Sequence, residues 1–427
     1  MIPFSISIFG LLWSRFDAVR LLIYLFLIQF FFLWLVLKYF PNSYSLMGTA
    51  NTGFIYLSAL ILLFKYKRIV LRYFIFYSVF ILSFVFLLFL QSKFTGVDLN
   101  GGLSYFRNFF HSFLILPIIL ICVYESNFKS LFNFLALFFI FISIFYFVQI
   151  LFPNIKDFFI IESIYRDGEF VTLVAKQVVE GNPAIGTFIR PANLGNALAI
   201  FLPFCFLLYK KNFLNISYVY FWILYSFAIV VLLGTGIRTS FISFSVFQIG
   251  VFLVFYDKKI LVPVLLLFFG LIIFFFSDSI DGYDRSDFSN PILRVFYLVN
   301  YLDNSSTLIE SSTLSRSSNI FSYYKNFWLG AGVYSSGKYI QGVSSITDLT
   351  LAFIFIEFGF IVFISSLVLF SLPILQSFSR TGFTLNNKLL FFVFLSVFLQ
   401  SITDQGFFTN YSSYLYFVVV GFLISEN

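Results

Sequence analysis

The chain has 427 residues, of which 60% are hydrophobic and 11% charged, and its mean hydropathy is +0.97. Soluble domains are about 45–50% apolar and about 25% charged, so no water-facing surface could hide this much apolar area, and the bilayer must act as solvent. The net charge of +7 is scattered over many short connections, which serves membrane orientation and gives no reason to expect a nucleic-acid partner. The single histidine, His111, and the two cysteines, Cys122 and Cys205, lie in apolar runs. They supply neither a zinc site nor a disulfide framework. The 70 phenylalanines suit lipid-facing surfaces, and compositional bias accounts for most of them.

Apolar runs of about 20 residues recur along the chain. They predict spans over roughly 19–39, 46–64, 69–90, 105–123, 131–152, 191–209, 214–233, 237–256, 260–276, 350–376, 388–404 and 407–424. The expected class is therefore an all-α polytopic membrane protein with about twelve helices, residues 1–427 forming one integral membrane domain. The first run lacks a small-residue cleavage site and reads as an uncleaved span.

Basic residues fall on alternate connections: Arg15 and Arg20, "KYKR" (65–68), Lys129, "KK" (210–211), "DKK" (257–259) and "SRTGFTLNNK" (379–388). The positive-inside bias puts these connections and both termini in the cytoplasm. The opposite side then carries two long connections, 153–190 and 277–349. Loops of such length usually fold or serve a function.

The outward connections favour arginine over lysine: Arg166, Arg190, Arg238, Arg285, Arg294 and Arg316, with Arg107 near the outer end of its span. Orientation needs only positive charge, whereas a guanidinium adds a rigid fork of donors that grips phosphate or carboxylate at two points. Headgroup anchoring is the plainer explanation of the same residues.

Two stretches sharpen the choice, "GTFIRPANLGN" (186–196) and "GTGIRTSFIS" (234–243). Each runs Gly-Thr-x-Ile-Arg into an apolar segment. Gly186, Gly234 and Gly236 permit close backbone approach just ahead of helix starts, whose free N–H groups and dipoles attract anions. Pro191 after Arg190 suits a first helical turn. Two such mouths are suited to clamp one diphosphate. Ordinary glycine turns with snorkelling arginines fit the same residues.

The second long connection is polar and serine-rich, "DNSSTLIESSTLSRSSN" (303–319), and ends in "FWLGAGVYSSGKY" (327–339) and "SSITDLTLAFIFIEFGFI" (344–361). Asp348 stands at the mouth of the tenth expected span, where it can accept a proton from a sugar hydroxyl or simply serve the helix start. Glu357 lies about two and a half turns into that span, and an intramembrane carboxylate is costly and tends to be functional. Asp404, in "SITDQGFF" (401–408), is a further outer acid. The series Asp278, Asp281, Asp284 and Asp287 lacks the glycine and closing glutamate of an EF-hand. No phosphate-binding G-x-x-x-x-G-K loop and no G-x-S-x-G elbow occurs, so neither ATP nor a serine nucleophile is expected.

These features together resemble the O-antigen polymerase (Wzy) family, within the O-antigen ligase/polymerase superfamily of GT-C-like membrane glycosyltransferases. The resemblance rests on the layout of nearly the whole chain and on three pieces: "GTFIRPANLGNALA", "GTGIRTS" and "NFWLGAGVYS…TDLTLAFIFIEFGFI". It implies an enzyme of the bacterial inner membrane that joins undecaprenyl-pyrophosphate-linked repeat units at the periplasmic face. It further implies work beside a flippase and a chain-length regulator, with no cofactor. The residues it points to are Asp348, Arg190 and Arg238 as catalytic. Arg316, Arg294, Arg166, Gly186, Gly234, Gly236, Glu357 and Asp404 would bind substrate. No metal ligand set is implied, so arginines and N–H dipoles would stabilise the departing diphosphate. A ligase of the same superfamily typically carries a histidine in the late periplasmic loop, where this chain has Asp348. A lipid-linked oligosaccharide flippase also has about twelve spans, but would bind cargo near the midplane.

Overall fold

The computed structural model describes residues 17–28, 64–95, 115–124, 128–152, 191–214, 216–256, 328–330, 350–382, 384–403 and 410–426, with positions 30, 35, 38, 39, 53, 57, 60–62, 154 and 155. Ten helices stand among the described residues. They are α1 (Ala18–Leu27), α2 (Lys67–Thr95), α3 (Ile115–Tyr124), α4 (Phe128–Leu151), α5 (Pro191–Lys210), α6 (Tyr218–Gly234), α7 (Arg238–Phe255), α8 (Thr350–Thr381), α9 (Leu385–Thr403) and α10 (Asn410–Ser425). No strand occurs among them. The expected spans 260–276 and most of 46–64 lie outside the described residues, as do most of the connections 153–190 and 277–349.

The helices are apolar on every face. In α6 the inward positions Phe221, Tyr225, Ala228 and Leu232 follow a helical period, yet the outward positions Val219, Tyr220, Ile223 and Val230 are as apolar. Along α2 an exposed row of Leu71, Ile75, Val79, Leu82, Phe86 and Phe89 recurs every three or four residues. Water would penalise such stripes, while hydrocarbon accepts them. Among the described residues, three helical segments are long and apolar enough to cross a bilayer: Phe128–Leu151, Asn193–Lys210 and Phe358–Ser379. The first, at 1.5 Å per residue, covers about 36 Å, more than the roughly 30 Å hydrocarbon core. The chain is a helical, membrane-embedded protein.

Its contacts divide into two units, the first comprising 1–25, 45–128 and 309–427, the second 26–44 and 129–308. In the second unit α5 is the hub: its spanning segment is 83% buried, against 44% for those of α4 and α8. Phe201 stacks on Phe139 of α4 at 3.8 Å, Phe204 meets Phe132 edge-on at 5.4 Å, and Tyr209 stacks on Phe221 of α6 at 4.0 Å. The helix ends where lysines and a turn were expected. Asn212 takes the left-handed conformation (φ 60°), Phe213 N–H reaches Leu208 O at 2.9 Å and Asn212 N–H reaches Tyr209 O at 3.0 Å. That is a Schellman C-cap with asparagine in glycine's place.

In the first unit α3 is buried from Ile115 to Cys122, and Gly421 of α10 lies so near Ile119 that a Cβ there would overlap the Ile119 side chain. Both cysteines are buried. Pro373 within α8 cannot donate to the preceding turn. Close by, the Tyr416 hydroxyl of α10 donates to Phe370 O at 2.7 Å. The α8–α9 connection is closed by Asn387, whose Nδ2 donates to Thr381 Oγ1 (3.0 Å) and to Gly382 O, while Ser377 Oγ donates to its Oδ1 at 2.5 Å. Asn387 N–H in turn meets Thr384 Oγ1 at 3.2 Å, an N-terminal cap for α9.

The tenth expected span, 350–376, differs from the structure in one respect. Gly359, at φ 78° and ψ 178°, breaks α8. Glu357 stands two residues before this break.

Candidate functional site

The site is built on the turn between α6 and α7 in the second unit. Thr235 continues the helical conformation (φ −68°, ψ −19°), and its N–H is shared between Val231 O and Leu232 O at 3.1 and 3.3 Å. Its hydroxyl donates back to Leu232 O at 2.7 Å. Gly236 then reverses the chain at φ 67°, its N–H on Leu233 O at 3.0 Å. A Cβ makes this left-handed conformation costly, so glycine is required here. Ile237 is extended and stands at the N-cap, where its apolar side chain caps nothing. Ile237 thus gives the first-turn N–H groups of α7, which Arg238 opens, no side-chain cap at the positive end of an 18-residue helix.

Gly234 is needed for a different reason. A Cβ at Gly234 would overlap the Tyr146 hydroxyl of α4, and the ring carbons behind it lie at 3.1 and 3.3 Å. The start of α5 closes the other side. A Cβ at Gly195 would stand 2.7 Å from Ser240 Oγ and 2.9 Å from Thr235 Oγ1. Ser240 Oγ donates to Asn196 Oδ1 at 2.6 Å. Asn196, Thr235 and Ser240 are each no more than 1% exposed. Small residues let these helix backbones approach, and a buried hydroxyl–amide bond fixes their register, as is usual between helices in lipid.

Four helix ends thus meet at one end of this unit: the ends of α4 and α6 and the beginnings of α5 and α7. The two Gly-Thr-x-Ile-Arg stretches precede α5 and α7, so both feed into this end. Of the expected residues, Gly234, Gly236 and the backbone of Arg238 are described and come together here. Pro191 opens α5 as expected. Arg190 and Gly186 lie outside the described residues, as do Arg166, Arg294, Arg316, Asp348 and Asp404, and Glu357 is described only as a backbone position.

A cavity of about 50 Å³ between α4, α5 and α6 is lined by Phe139, Ser143, Phe201, Cys205, Tyr225 and Ala228. It is apolar, and Ser143 Oγ already donates to Phe139 O at 2.8 Å, so it offers an anion nothing.

The first unit holds the other glycine-dependent feature. At the break in α8, a Cβ on Gly359 would overlap Trp328 O and stand 2.6 Å from Gly330 N. The turn Trp328–Gly330 of the second long connection thus lies with its backbone against the backbone of Gly359. Gln91 Nε2 of α2 donates to Leu329 O and holds the same turn. Gly330 is itself left-handed, at φ 77°.

Sequence reasoning singled out the turn glycines and Arg238 but missed Tyr146, Asn196, Ser240, Gln91 and Gly359. A usable signal existed: Gly195-Asn196 and Ser240 are small or polar positions in otherwise apolar helices, the pattern of close helix contact in membranes.

No protein-family model matches the chain, and no curated protein sequence matches it.

Proposed function

We propose that this chain is a polymerase of lipid-linked glycans, a membrane glycosyltransferase that extends O-antigen or a similar surface polysaccharide. The reading takes about twelve spans in the bacterial inner membrane, with both termini cytoplasmic and the connections 153–190 and 277–349 periplasmic. One observation supports it above the others: the helices that follow both Gly-Thr-x-Ile-Arg stretches begin at the same end of one unit, and the N-cap residue of α7, Ile237, gives no side-chain cap. Such an end suits a diphosphate, with Gly186, Gly234 and Gly236 admitting its oxygens to backbone N–H groups and Arg190 and Arg238 supplying charge.

In the proposed reaction a hydroxyl of the terminal sugar on an incoming repeat unit attacks the anomeric carbon of the growing glycan. The bond from that carbon to the undecaprenyl pyrophosphate oxygen breaks, and the diphosphate leaves with the electron pair. Asp348 takes the hydroxyl proton. Guanidinium groups stabilise the leaving charge in place of a divalent ion. Arg166, Arg294, Arg316, Glu357 and Asp404 have substrate-binding roles in the same proposal.

The test replaces Arg190, Arg238, Arg316 and Asp348 singly with Ala and scores surface polysaccharide length in cells. A polymerase defect leaves single repeat units on the lipid A core. Long polymer stranded on its lipid carrier would mark a ligase, and units trapped facing the cytoplasm a flippase. Normal length in all four variants would sink the site.

A further inference from the structure

We infer, apart from the glycan reading, that the turn Trp328–Gly330 is a strap fastening the second long connection between α2 and α8, with the Gln91 amide as a catch. Two left-handed glycines meet at the contact, Gly330 at φ 77° and Gly359 at φ 78°, so α8 is interrupted where the backbone of a distant connection comes in. Beside them a narrow crevice is lined by Phe84, Leu87 and Leu88 of α2 and by Phe358 and Val362 of α8, and Leu329 reaches it. Phe84, Leu88, Phe358 and Val362 are each no more than 3% exposed, and the rings of Phe84 and Phe358 meet at 5.3 Å. Gln91 is the polar side chain of this crevice and is as deeply buried as its apolar neighbours. Its Nε2 donates to Leu329 O. An amide among apolar groups is costly unless it is paired, so the carbonyl that it holds accounts for its place there.

The Trp328 ring, by contrast, is 59% exposed and meets Phe360 edge-on at 5.9 Å. The turn is thus held by its backbone and by Leu329 more than by its largest side chain. Fastening at Gly330 also divides the connection. Residues 331–349 run from the dock at Gly359 back to Thr350, where the same helix begins, so both ends of that stretch are held on α8. Those ends lie about 14 Å apart along the helix, at 1.5 Å per residue. Movement of α2 past α8 is thereby coupled to the connection through Leu329.

The experiment follows amide hydrogen exchange of the purified full chain in lipid nanodiscs, for the wild type, Gln91→Leu and Gln91→Glu, at alkaline and at acid pH. Leucine fills the crevice without a donor. Glutamate keeps the shape and donates only while its carboxyl is protonated. In Gln91→Leu the amides of Leu329 and Gly330 are expected to exchange about tenfold faster, in the range of one buried hydrogen bond lost. The middles of α2 and α8 should keep wild-type protection. Gln91→Glu should behave like Gln91→Leu at alkaline pH and return toward wild-type protection, compared at the same pH, once acid protonates the carboxyl. Unprotected Leu329 and Gly330 amides in the wild type would overturn the strap. Wild-type protection in Gln91→Leu would remove Gln91 as its catch. Faster exchange spread evenly along α2 and α8 would do the same, by marking a packing defect. A Gln91→Glu turn that stays unprotected in acid overturns the donor role of the amide.

Discussion

Among the described residues, glycine lets backbone come close to different things at the start of α7 and at the break in α8. At the start of α7 the neighbours of Gly234 and Gly195 are the tips of side chains: a Tyr146 hydroxyl, a Ser240 hydroxyl, a Thr235 hydroxyl. At the break in α8 the neighbours of Gly359 are the backbone atoms of Trp328 and Gly330. A side-chain tip can rotate away, whereas the backbone of a turn that Gln91 holds at the neighbouring Leu329 O cannot. The first region is therefore a polar joint open to adjustment. The second is a fixed dock that pins part of a long connection to a broken helix.

The largest effect should come from the dock. Gly359→Ala combines a left-handed φ of 78° with overlap on backbone atoms. The two costs together come to about 3 kcal/mol or more. We predict that the variant loses most folded protein in detergent and that protease cuts near Trp328 well before the wild type is cut. An unfolding midpoint within a degree or two of wild type would break the contrast, because it would show that this backbone also yields.

At the joint the cost should be smaller and, above all, shared with a partner. Gly234→Ala pushes a methyl group into the Tyr146 hydroxyl, for about 1–3 kcal/mol. Adding Tyr146→Phe removes the colliding oxygen and should return about half of the loss. A double-mutant cycle on thermal midpoints reads this directly as a coupling between the two positions. Strictly additive losses would mean that the clash is absorbed elsewhere. Ser240→Ala sits below both: it removes the donor to Asn196 Oδ1 at a cost of about 1 kcal/mol. It should loosen α5 against α7 without unfolding either, seen as faster amide exchange in the first turns of both helices.

Several of these features were legible in the sequence, and the limits of legibility are physical. Hydropathy located α4, α5, α6, α7, α9 and α10 to within a few residues, because a bilayer fixes the length of an apolar run. The turn at Gly234–Gly236 was legible because a glycine pair ahead of a basic residue breaks an apolar stretch so plainly. Helix faces were not legible. When Val219 toward lipid and Val231 toward protein are the same residue, periodicity carries no sign of which is inside. For that reason Tyr146 passed as one aromatic among many in α4. Gly359 was hidden for a related reason. Hydropathy runs straight through "IEFGFIVF", and only the docked backbone of Trp328–Gly330 reveals that the helix breaks there.

The smallest effect is the one that separates strain from collision. Gly382, at the end of α8, has φ 68°, close to that of Gly359, but a Cβ there would meet nothing within 4 Å. Its N–H closes on Phe378 O at 3.0 Å, an ordinary left-handed helix stop. Gly382→Ala should therefore show the conformational cost alone, about 1 kcal/mol. Asparagine tolerates this conformation better than other side chains, and the chain already uses it so at Asn212, with φ 60° at the end of α5. Gly382→Asn should then lose only a few tenths of a kcal/mol, while the same substitution at Gly359 should be as damaging as alanine. If asparagine rescued Gly359 to the extent that it rescues Gly382, the φ value alone would explain both sites. The Trp328–Gly330 dock would then be a passive contact, not what fixes the break in α8.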